Sequence, residues 1–153
     1  MFRKVIAITA GVLAVLAVGV GCGGDDDSGS SLTKAEFTKQ ADAICKKQEE
    51  KKNNALTTAY EKLGKEGKEG KKAQEEVIAD VALPPISQMT EELADLGAPE
   101  GEEEKAEEMV AAFEEEVQKI EDDLPGTLSG KVGNFDKANK LAKEMGLKDC
   151  SLI

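Results

Sequence analysis

The 153-residue chain has no histidine, no tryptophan and a single tyrosine, Tyr60. Histidine is the side chain that most often acts as a general base or neutral metal ligand near pH 7. Its absence removes Ser–His and Cys–His nucleophile systems and histidine metal sites. Aromatic residues make up only 3% of the chain, a poor supply for a β-sandwich core. Arginine is equally scarce: Arg3 is the only one. The chain beyond it has no guanidinium for bidentate recognition of phosphates or base edges. With a formal net charge of −11, the protein repels polyphosphates, so nucleic acid is not expected as a partner. No phosphate-binding glycine motif of the usual kind is present. What remains is rich in Ala, Leu, Lys and Glu, with 33% charged residues, and that composition favours helices.

The N-terminus has an organisation of its own. Arg3 and Lys4 precede an apolar run from Val5 to Val20, interrupted by Thr9, Gly11 and Gly19. Two cations before a short apolar run form a secretory leader. The run is shorter than the roughly 20 residues of a comfortable membrane span. The cations keep the N-terminal end cytoplasmic, so the chain after the run is expected to be exported.

The leader ends in Val20-Gly21-Cys22, which resembles a bacterial lipoprotein signal. Gly19 stands where an aliphatic residue is usual in that family. The resemblance implies cleavage after residue 21, a diacylglycerol on Cys22, and anchoring to the extracytoplasmic face of the cell membrane by at least two acyl chains. One chain alone holds a protein only marginally. Residues 22–31 continue as an acidic Gly/Ser stretch, including Asp25, Asp26 and Asp27, with nothing to bury. A disordered tether is expected there, and the ligand spacing of a calcium loop is absent.

Residues 32–153 are expected to form one domain. Thr33-Lys34-Ala35-Glu36 predicts a capping box, with Leu32 and Phe37 placed as a hydrophobic staple. A first helix then carries Phe37, Ala41, Ile44, Cys45, Gln48, Ala55, Leu56, Tyr60 and Leu63 at helical spacing. Gly64, Gly67 and Gly70 predict a loop. A second helix is expected from Lys71 to Leu96, its apolar stripe keeping phase across Pro84 and Pro85, which should kink it. Gly97-Ala98-Pro99 separates it from a third helix, from about Glu100 to Asp123, with Met109, Val110, Phe113, Val117 and Ile120 inward. Pro125-Gly126 predicts a turn and the stretch to Gly133 a loop. Asn134 is placed to cap a short fourth helix with Phe135, Ala138, Leu141, Ala142 and Met145 inward, stopped by Gly146. The expected fold is all-α: four helices, most simply an up-down bundle.

With Cys22 lipidated, Cys45 and Cys150 are left in an oxidising compartment. Cysteine arithmetic favours a disulfide from the first helix to the C-terminus, two buried unpaired thiols being the alternative. Closing a loop of about 100 residues is worth about 4.7 kcal/mol in the chain-entropy account. The segment Phe37 to Ala41-Asp42-Ala43-Ile44-Cys45, with Gly146-Leu147 and Cys150, also resembles the two ends of small actinobacterial lipoproteins and secreted proteins of unassigned activity. That resemblance implies a helical, disulfide-linked domain and supplies no catalytic residue.

The third helix concentrates Glu103, Glu104, Glu107, Glu108, Glu114, Glu115 and Glu116. Pairs such as Glu103/Glu107 repel at i,i+4, and a hard cation would relieve them. Lys105 and Lys119 are interleaved, so a solvated acidic face is the expected outcome, with no metal or cofactor. No enzyme activity is expected. The favoured function is a lipid-anchored binding or interaction module for a protein or small solute. The alternative is an acidic cation-binding or structural envelope protein.

Overall fold

The computed structural model describes residues 32–67 and 70–151. The leader, Cys22 and the tether to residue 31 lie outside the described residues. Within them the fold is all-helical, without a strand, and a lone bridge pairs Leu32 with Pro99.

Helix α1 spans Lys34–Glu66. Its start is the expected capping box: the Glu36 N–H donates to the Thr33 hydroxyl at 3.3 Å, and the Thr33 N–H donates to the Glu36 carboxylate at 3.1 Å. Leu32 packs onto the core that Phe37 enters. Gly67 ends the helix in the left-handed region at φ 64°, where a side chain would be strained. Only the first half of α1 is deeply buried, through Phe37, Ala41, Cys45 and Gln48. Tyr60, expected on the inner stripe, is 48% exposed.

Helix α2, Lys71–Val77, runs through a π-helical turn, Ile78–Ala82, into α3, Leu83–Leu96. This continuous rod matches the expected second helix, and the π-turn explains how it tolerates two prolines. Pro84 and Pro85 fall in the first turn of α3, and just before them the Leu83 N–H reaches back five residues to the Ile78 carbonyl. A proline in a regular helix loses one N–H and its ring strikes the carbonyl four residues back; the wider turn relieves both demands.

Helix α4 spans Glu103–Asp122, starting later than expected because Gly101 adopts φ 79° and Glu102 takes the cap position. The expected loop after Pro125-Gly126 is corrected: Leu124–Leu128 forms a short helix, α5, capped by the Asp123 carboxylate accepting from the Gly126 N–H at 2.8 Å. Helix α6 spans Asp136–Glu144. The expected Asn134 cap is also corrected. Phe135 holds the cap position at φ 48°, while the Asn134 side chain accepts weakly from the Asp136 N–H at 3.4 Å. Phe135 is held there by its buried ring, whose centroid lies 6.0 Å from that of Phe113. A non-glycine residue in this region costs on the order of 1 kcal/mol, which aromatic burial offsets.

Helix α1 packs antiparallel on α3, and α4 on α6. Lys47 meets Glu92 and Lys51 meets Gln88, so residue numbers rise along α1 as they fall along α3. Glu108 meets Lys137 and Lys105 meets Glu144 between α4 and α6 in the same sense. Helix α3 lies against α4, and α2 against α5. The core between them is built from Leu83, Ile86, Met89 and Leu93 on α3, with Met109, Phe113 and Ile120 on α4.

After α6 the chain reverses at Gly146, φ 88°, and the Leu147 N–H donates to the Ala142 carbonyl at 2.9 Å. The tail then crosses to α1. Cys45 and Cys150 are joined as a disulfide with Cα atoms 5.0 Å apart, 105 residues apart in sequence. Beside it, the Asp42 carboxylate accepts the backbone N–H groups of Lys148 at 2.8 Å and Asp149 at 3.0 Å. Replacing both cysteines by alanine is expected to cost about 2–5 kcal/mol, read by urea unfolding. Asp42→Ala should cost about 1 kcal/mol, because the two tail N–H groups can turn to water. Equal unfolding midpoints for wild type and the double-cysteine variant would refute this role of the tail.

Candidate functional site

Of the residues singled out in the sequence, Cys45 and Cys150 come together, and Cys22 lies outside the described residues. The disulfide is a structural joint and not a reactive centre. Both residues are at most 1% exposed, and the Cys150 sulfur lies 3.6 Å from the Ala41 carbonyl oxygen, away from water.

The carboxylates of α4 do not converge. Glu103 turns back to accept the Gly101 N–H at 3.0 Å, which holds its carboxyl below the usual range. Glu108 pairs with Lys137 at 3.1 Å. Lys119 sits between Glu116 at 2.7 Å and Glu115 at 2.9 Å. The Glu116 hydrogen bond is the stronger cause of a raised Lys119 pKa, and Lys119 in turn lowers that of Glu115. An open acidic groove runs between α4 and α6 past Glu104, Glu108 and Glu144, but Lys105 stands in it, 4.0 Å from Glu144. Among the described residues no three acidic or cysteine side chains are gathered so as to hold a metal ion. Among the described residues Glu103, Glu108, Glu115 and Glu116 are thus engaged by lysines or a backbone N–H, while Glu107 and Glu114 have no such partner.

A polar network seals the α1–α3 seam. Gln48, only 1% exposed, stands on the inner stripe of α1, where the sequence pattern wants an apolar residue. Its amide N–H donates to Glu92 at 2.9 Å. The same Glu92 oxygen accepts from Lys47 and Gln88, each at 3.0 Å, and Lys51 donates to Gln88 at 2.6 Å. The Lys47 hydrogen bond, helped by Gln48 and Gln88, holds the Glu92 carboxyl below its ordinary value against the opposing effect of partial burial.

The feature suited to binding was not visible in the sequence. Between α3 and α4 lies a half-open apolar cleft of about 270 Å³. Phe37, Leu93 and Met109, each at most 1% exposed, form its floor. Ala94, Gly97 and Ala98 border it on the α3 side, and Val110 and Ala111 on the α4 side. Small residues on both helices leave the space: a larger side chain at Ala94 or Ala111 would fill it. The cleft lies where the N-terminal segment enters the domain. Leu32 bridges to Pro99, and its carbonyl accepts the Glu100 N–H at 3.2 Å, next to the lining residues Gly97 and Ala98. Glu107 and Glu114 stand at its border on α4.

No helix among the described residues is long and apolar enough to cross a membrane. No protein-family model, curated protein or solved structure matches the chain. The fold defines its class: a small all-helical domain whose C-terminal tail is joined to α1 by a disulfide.

Because the folded Glu92 pKa is depressed, its contribution to stability is present above the unfolded carboxylate pKa and is lost as pH falls through the folded value. The melting-temperature gap between wild type and Glu92→Gln should be constant above about pH 5 and shrink below it. A gap that widens on acidification would contradict the network as described.

Proposed function

We propose that the chain is an exported lipoprotein, anchored through acyl chains on Cys22 to the extracytoplasmic face of the cell membrane, whose helical domain binds a protein or small solute. The observation that carries the binding reading is the apolar cleft floored by Phe37, Leu93 and Met109, opening beside the point where the N-terminal segment joins the domain. An apolar recess open to solvent is the kind of place where a ligand is held. The Cys45–Cys150 bond supports export, because structural disulfides persist in oxidising compartments. The ten residues from 22 to 31 reach at most about 35 Å, which keeps the cleft close to the membrane. An acidic domain is repelled by anionic head groups, so acyl chains must supply the attachment. The cation-binding alternative is weaker, since Glu103, Glu108, Glu115 and Glu116 are already engaged by lysines or backbone N–H groups.

Mass spectrometry of membrane-extracted protein should find residues 1–21 removed and acyl chains on Cys22. The Cys22→Ser variant should leave the membrane fraction; unchanged sedimentation with membranes would overturn the anchoring. For the cleft, benzene should shift the methyl NMR signals of Met109 and Val110 saturably. Ala94→Phe, a change at an exposed position, should abolish the shift without lowering the melting temperature. No response in the wild type would end the reading of the cleft as a small-solute site.

A further inference from the structure

Glu107 and Glu114 differ from most of their neighbours on α4. Both are exposed, both border the apolar cleft, and neither has an ion-pair or hydrogen-bond partner among the described residues. They are seven residues apart, so they lie on the same side of the helix, about 10 Å apart along its axis. One small cation cannot reach both. A neutral partner large enough to lie across the border would cover two uncompensated carboxylates without replacing their water, which is unfavourable. The complement of this border is an apolar group flanked by two cations at the same spacing. A helix supplies that spacing between positions i and i+7. The recess, at about 270 Å³, is also below the roughly 300–1,000 Å³ that encloses a small-molecule ligand, and suits the anchor side chain of a larger partner.

We propose that the cleft docks a basic amphipathic helix of a partner protein. It seats one apolar side chain on Phe37, Leu93 and Met109 and places a Lys or Arg over each of Glu107 and Glu114. This rests on the binding-module reading above and names the chemistry of its partner. The docking is the helix-in-groove mode, with the acidic border setting specificity and orientation more than affinity.

The test uses three helical peptides with the same central leucine and either Lys, Gln or Glu at the two flanking positions. Each is titrated into the protein while the Met109 and Val110 methyl signals are followed. The Lys peptide should bind about five- to tenfold more tightly than the Gln peptide, and the Glu peptide more weakly still, with the differences narrowing at high salt. The Glu107→Lys/Glu114→Lys variant, changed at two exposed positions, should reverse that order. Equal binding of the Lys and Gln peptides would overturn the proposal in favour of a neutral apolar occupant. An order unaltered by the charge reversal would overturn it as well. If benzene shifts the two methyl signals and no peptide does, this proposal falls while the cleft remains a binding site. If neither does, both readings fall.

Discussion

The joint between α1 and the C-terminal tail is the contact on which the arrangement of this domain depends. Helix α1 packs antiparallel on α3 and α4 on α6, and the C-terminal tail after α6 must be tied to α1 by something other than sequence adjacency. The Cys45–Cys150 disulfide and the Asp42 carboxylate make that tie within one turn of α1. The bond removes conformational freedom from a segment of 105 residues, and Asp42 fixes the direction of the tail by accepting two successive N–H groups. With the tail in place, Leu147 and Met145 complete the core that Phe37, Phe113 and Phe135 share.

The same joint has a consequence for the cleft. Phe37, which floors it, lies two turns before Cys45 on α1 and is held against α3 and α4 by the packing that the tail completes. The cleft is therefore floored by side chains of α1, α3 and α4, with Gly97 and Ala98 of the connection after α3 at its border. Charge is distributed in a complementary way. Lysines pair with Glu108, Glu115 and Glu116, while among the described residues Glu107 and Glu114, at the border of the apolar recess, have no partner.

Several departures from the sequence reading have identifiable causes. Pro84 and Pro85 signalled a kink; a π-turn just before them accommodates the missing donors and keeps the rod continuous. Leu124–Leu128 was hidden because Pro125-Gly126 has the composition of a turn, yet proline is well suited to a first helical position and Asp123 supplies the cap. Asn134 has the right chemistry for a cap, but burial of the Phe135 ring shifts the cap by one residue and forces a positive φ. Gln48 was expected on the inner stripe of the first helix, but its partner Glu92 is 44 residues away, beyond the reach of any local pattern.

The local elements were legible because their determinants are local: the Thr33–Glu36 box, the helical spacing of apolar residues, the glycines at chain reversals, and the two cysteines that remain once Cys22 is set aside as a proposed lipid anchor. Fold class, the α2–α3 rod and the cysteine pairing follow from those, while Gly64, expected in a loop, lies inside α1. The cleft could not be read in this way. Ala94, Ala106 and Ala111 are ordinary helix formers in the sequence, and only the packing of α3 on α4 turns small side chains into a recess. Nor could the sequence separate Glu107 and Glu114 from the glutamates around them, since a carboxylate's partner is set by distance in space and not by spacing along the chain.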